Sequence, residues 1–275
     1  VKAVIEHFRA AVGHNLRGKV QPGALKAVWR LLTRSHGAMD PEDIAPLLDE
    51  WFYRPLLPGR DPRAGPIQMD ELPFNPADHD PVHTGATTFH PGRHNWARVH
   101  KVPVLVINAT TVNTGHAWQF TPTWMGESPW AIHETADCVP RLEWAWDAPQ
   151  AQWRMELGRA VAAPAAVPGI FRPLHLKRQF ATGVEVQLVD GGVHDNQGTS
   201  SLLALNCNVL LVSDACGQLM FEREPSSGLT ALKDYVMRAM DALMERVRLA
   251  NLADLKARQQ SGRLRGLMFL HMKSG

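Results

Sequence analysis

Val186-Gln187-Leu188-Val189-Asp190-Gly191-Gly192-Val193-His194-Asp195-Asn196-Gln197-Gly198 is the stretch on which the reading of this chain turns. An apolar strand runs directly into an acid, two glycines and a polar turn. In open α/β sheets the carboxyl ends of strands carry the chemistry, so a carboxylate delivered there is a candidate acid, base or orienting group. Gly191 and Gly192 let the backbone turn sharply and leave room beside the acid. Asp195 and Asn196 follow on the same turn and read first as turn caps, because their side chains bond to nearby backbone N–H groups; Asn196 is also a candidate for holding the turn around Asp190.

Strands and helices alternate around this stretch. Val184–Val189 reads as a strand, Ser200–Leu205 as a short helix, and Asn208–Ser213 as a buried strand ending at Asp214. Asp214 either lines the same crevice or caps the following turn. Leu229–Leu255 reads as a long amphipathic helix with Leu229, Leu232, Val236, Met240, Leu243 and Val247 on its packed stripe. Gly266–Leu270 reads as a last strand. Upstream, Val102–Ile107 is a continuous apolar run with the look of a strand buried on both faces, Asn108–Gly115 a turn, His116–Thr121 a second strand and Arg154–Ala163 a helix. This order predicts an α/β domain with a mainly parallel central sheet. Further upstream, Val1–Leu16 and Ala24–Leu32 have helical spacing. Asp40-Pro41-Glu42-Asp43 has the form of a capped helix start, which Pro46 would delay. Between Arg54 and His100 the periodicity disappears into an irregular excursion rich in Pro, Gly and His.

Bulk properties narrow the function. The 275 residues carry a net charge of +2, without the clustered basic excess of a nucleic-acid-binding surface. No apolar run is long enough to span a bilayer, and no signal peptide is seen; a cytoplasmic or peripheral-membrane location follows as the expectation. Cys138, Cys207 and Cys216 have no paired spacing and read as reduced thiols. His79, Asp80, His83, His90, His94 and His100 invite a metal reading, but Pro81 and Pro91 interrupt them, and no metal site is expected. Trp118, Trp124, Trp130, Trp144, Trp146 and Trp153 read mostly as core, with a minority suited to a lipid interface.

Taken with two further stretches, Asp190-Gly191-Gly192-Val193-His194-Asp195-Asn196 resembles the patatin-like phospholipase family. Arg159-Ala160-Val161-Ala162-Ala163-Pro164-Ala165-Ala166-Val167-Pro168-Gly169-Ile170-Phe171 is similar to that family's Ala-Ser-x-Ala-x-Pro-x-x-Phe segment, with Pro164 where the family usually has Ser. Val104–Gly115 is similar to its central strand and turn. The resemblance covers Val102–Asp214 and implies a patatin-like three-layer fold, incomplete at the N-terminus and at the C-terminus, with residues 1–275 forming one domain fragment. It implies a lipid acyl hydrolase working through a Ser-Asp dyad, in which Asp190 is the catalytic base and Gly191 and Gly192 shape its turn. The substrate would be an acyl lipid, met with peripheral membrane contact, and no cofactor would be needed. Yet no serine here lies in Gly-x-Ser-x-Gly. Ser35 lacks the first glycine and Ser200 the second, and the glycine-rich oxyanion loop is absent as well. The expectation is a nucleophile on polypeptide outside this chain, so that the chain alone is inactive. The alternative is a non-catalytic binding or scaffolding domain.

Overall fold

The computed structural model describes residues 40–54, 60–61, 63–72, 75–80, 89–96, 98–127, 141–143, 155–177, 179–180, 184–214 and 232–271. The helices read at Val1–Leu16 and Ala24–Leu32, and Trp130, Trp144, Trp146 and Trp153, lie outside them.

Helix α1 (Pro41–Leu48) starts as its sequence predicts, with the Asp40 carboxylate accepting the Glu42 N–H at 3.0 Å and Pro41 in the first turn. Pro46 sits inside the helix and does not delay its start. A π-helical turn (Asp49–Tyr53) continues it. There the buried Asp49 accepts the Ile67 N–H at 3.0 Å and pairs with Arg54 at 2.6 Å. The excursion expected from Arg54 to His100 is therefore tied in part to the core. Ile67, Met69 and Phe89 are buried, and it carries a 3-10 turn (Met69–Glu71) and the short helix α2 (Pro91–His94).

The expected parallel sheet and patatin-like three-layer fold are not what forms. Strands β1 (Ile107–Thr111), β2 (Ala117–Phe120), β3 (Trp124–Glu127), β4 (Leu142–Glu143), β5 (Leu174–Leu176) and β6 (Val186–Asp190) make one sheet in the order β4-β3-β2-β1-β6-β5. Every neighbouring pair in it is antiparallel. The reason lies in the connections. Residues 112–116 and 121–123 are all that separate β1, β2 and β3, and a parallel partner needs a crossover of a dozen residues or more. The first turn closes through Gly115, at φ +78°, whose N–H reaches Thr111 O at 2.8 Å. The strand itself is displaced from its expected place. Asn108–Thr111, read as a turn, is in the ladder, whereas Val102–Val106 lies outside it with Leu105 47% exposed. Helix α3 (Leu157–Ala162) packs against α1. The approach is so close that a Cβ on Gly158 would stand 2.3 Å from Ala45 O. Trp118, Phe120, Met125, Met155, Leu174 and Leu188 form the centre of the core under the sheet.

Beyond β6 come α4 (Gly192–Asp195), α5 (Thr199–Ala204), β7 (Val209–Asp214), α6 (Leu232–Gln260) and β8 (Gly266–His271). Here the parallel expectation does hold, since β7 and β8 pair in parallel from Val209↔Gly266 to Asp214↔His271. Leu210, Val212, Leu255 and Leu264 make their core. The packed stripe of α6 is not the one read from sequence, for Val236 and Leu243 are 49% and 64% exposed. Its inward residues are Met244, Arg248, Asn251 and Leu255, spaced three and four apart on one face. Arg248 explains the rotation. Its guanidinium is buried against the Asp214 carboxylate at 2.7 Å, and a charge that leaves water must face its partner. Asp214 is thus paired with Arg248, and the turn that follows it lies outside the described residues. Among the described residues no helix is long and apolar enough to cross a membrane.

Candidate functional site

Asp190 is the last residue of β6, opposite Ala109 of β1. Its N–H donates to Ala166 O at 3.1 Å, so the backbone of the acid is fixed from the segment that follows α3. Its carboxylate Oδ1 accepts the Gly192 N–H at 2.7 Å. The side chain is half-buried, and no cation among the described residues pairs with it. Burial pushes the Asp190 carboxyl above its usual range, and the Gly192 hydrogen bond opposes that rise.

Of the two reasons the sequence suggests for these glycines, room beside the acid is the one that holds, since neither has a positive φ. Gly191 has φ −61°, open to any residue. The constraint is space. A Cβ at Gly191 would lie 2.7 Å from Asn108 O, and one at Gly192 would lie 2.8 Å from both Asn196 Oδ1 and Met244 Cε. Asn196 itself is exposed and ends α4, with its side chain against Gly192.

Asp195 caps as its position predicts, and it does so on a larger scale. Oδ1 accepts the N–H groups of Gln197 and Gly198, both at 3.1 Å, and the Asn251 amide at 3.0 Å. Oδ2 accepts the Ser200 N–H at 2.6 Å and the Thr199 hydroxyl at 3.2 Å. This buried carboxylate therefore starts α5 and ties the turn to α6.

Sequence reasoning missed Thr110, Asn251 and a polar chain on the other side of β1. In that chain Ser201 Oγ donates to Asn108 Oδ1 and accepts Gln119 Nε2 at 2.8 Å, while Gln119 Oε1 accepts Arg141 at 2.6 Å. Polar residues at Asn108 and Gln119, on facing strands, were the available signal. Asn108, Ser201 and Arg141 of this polar chain border a cavity of about 1040 Å³ that is also lined by His90, Trp124, Leu205 and Val209. Asp190 is not among its lining residues, and no hydroxyl or thiol of the described residues bonds the Asp190 carboxylate.

Of the histidines that invited a metal reading, His83 lies outside the described residues. His79 and His94 have ring centroids 5.7 Å apart, and His90 and His94 6.5 Å. Among the described residues no group of three or more His, Cys, Asp or Glu could hold a metal ion. His90 is instead a wall of the cavity, stacked on Trp124 at 5.4 Å, with Nδ1 accepting the Arg93 N–H at 3.2 Å. Burial, with the Arg93 and His94 charges adding to it, lowers its pKa to about 4. The folded state thus prefers neutral His90. That preference is fully present above the unfolded pKa of about 6.5 and is lost as pH falls towards 4. Acidification from pH 7 to pH 4 is expected to cost on the order of 2 kcal/mol through this residue, allowing for its place on a cavity wall. Melting curves of wild type and His90→Phe across that range check it, and parallel loss in both proteins would show that His90 has no part in it.

No family model, curated protein or solved structure matches the chain.

Proposed function

We propose that this chain supplies the acid half of a serine-dependent acyl hydrolase, cleaving carboxylic esters of phospholipids or related acyl lipids. The supporting observation is Asp190 itself. It is a strand-end carboxylate, desolvated enough to raise its basicity, oriented through one oxygen by the Gly192 N–H and unpaired with any cation among the described residues. A serine hydroxyl is a weak nucleophile until a base takes its proton. Asp190 Oδ2 has the character such a base needs, while Oδ1 is occupied in positioning. Serine Oγ would attack the ester carbonyl as its proton passes to Asp190. The same proton would then go to the departing alcohol, and water would release the acyl group by the reverse path. Backbone N–H groups of a glycine-rich loop would hold the oxyanion. With no Gly-x-Ser-x-Gly in the 275 residues, both parts would come from polypeptide outside them.

One observation favours the non-catalytic alternative, a binding domain: the large cavity does not include Asp190. The experiment that separates the two readings uses a serine-directed fluorophosphonate and a short-chain chromogenic ester. The full-length gene product is expected to be labelled and to hydrolyse the ester, whereas the 275-residue chain alone should do neither. Turnover by the chain alone would refute the external nucleophile, and an unreactive full-length product would leave the binding domain.

A further inference from the structure

We infer that Thr110 is the positioning residue that sets the direction of the Asp190 carboxylate; this rests on Asp190 being the base. Thr110 lies on β1 opposite Val189 and is 2% exposed. A buried hydroxyl must satisfy both its donor and its acceptor, and Thr110 satisfies both on the turn that carries Asp190. Its Oγ1 donates to Asp190 O at 2.8 Å, with Gly191 O at 3.4 Å, and accepts the His194 N–H at 3.2 Å. One side chain therefore holds the carbonyl of the acid and the backbone of α4, on either side of the Gly192 N–H that grips the carboxylate.

The strand ladder does not do this work. Asp190 N–H is spent on Ala166 O, and the ladder contact to β1 falls at Ala109 rather than at a group on the turn. The Asp190–Gly191 peptide is thus held by the Thr110 hydroxyl from the neighbouring strand β1. Rotating that peptide would swing the carboxylate and move the Gly192 N–H together. A shift of about 1 Å at a reacting group is enough to cost on the order of a hundredfold in rate. The hydrogen bonds of Thr110 go to backbone groups and not to the carboxylate oxygens, so its effect passes through Asp190.

The test is steady-state ester hydrolysis by the full-length product carrying Thr110→Val, Thr110→Ser or Asp190→Asn. Thr110→Val keeps the shape and removes the hydroxyl. It is expected to lower kcat about 10- to 100-fold with KM within about twofold. Thr110→Ser is expected to stay within about threefold of wild type in kcat, because the hydroxyl and not the methyl is what matters. If Thr110→Val does not fold, Thr110→Cys takes its place, with the same expected loss. A Val variant at wild-type kcat, or a Ser variant as slow as the Val variant, overturns the role of Thr110. If Asp190→Asn is itself fully active, the failure is that of the dyad and not of Thr110 alone.

Discussion

Asp190→Asn in the full-length gene product is expected to lower kcat for a short-chain ester about a thousandfold or more, with secondary structure and melting temperature unchanged. The amide has the shape of the carboxylate and can still accept the Gly192 N–H through Oδ1. The loss therefore falls on the one property the amide lacks, which is capacity to take a proton. The pH profile of the wild type gives the companion result. Burial raises the Asp190 carboxyl above its usual range, and the base must be ionised to act. The acid limb of kcat/KM is accordingly expected above the pH at which an ordinary carboxylate titrates, with activity falling as pH drops through it. Hydrolysis unaltered in Asp190→Asn would exclude Asp190 as the base. An acid limb at the ordinary carboxylate position would show that a different group controls the rate.

Local chemistry was legible in this sequence and long-range pairing was not. Asp40 and Pro41 start a helix because caps and fixed φ act within a few residues. Asp195 caps α5 for the same reason. The β7–α6–β8 crossover was read correctly, since a 29-residue helix between two strands leaves little alternative to a parallel pair. The larger sheet was misread because apolar runs say nothing of strand direction. Val102–Ile107 is the most strand-like run in the chain, yet the ladder starts at Ile107 and continues through Asn108, Thr110 and Thr111. Those polar residues are kept in the sheet by tertiary bonds that no periodicity reports. Thr110 binds the Asp190 turn, and Asn108 binds Ser201, 93 positions away. The stripe of α6 failed similarly. Leu243 looks like core and Asn251 like surface, but the partners waiting at Asp195 and Asp214 set which side turns inward.

Those partners make Asp195 the residue whose loss is expected to damage stability most. Asp195→Ala removes the acceptor for three backbone N–H groups, a hydroxyl and an amide at once, in a place that is 6% exposed. Each buried donor left without a partner costs about 1–3 kcal/mol. Some of the five would recover water through the Gln197–Gly198 side, where the cavity opens. The net expectation is about 4 kcal/mol of destabilisation, read by urea unfolding of the 275-residue chain. Asp195→Asn keeps one acceptor oxygen and should cost about half as much. The distinction matters for the site. Asp195 connects the turn after Asp190 to Asn251 of α6, the helix whose Met244 also rests on Gly192. If Asp195→Ala unfolds no more easily than wild type, the five bonds are not holding α6 to that turn. Asp190 would then be placed by the β6 ladder, Ala166, Thr110 and the Gly192 N–H, without help from α6.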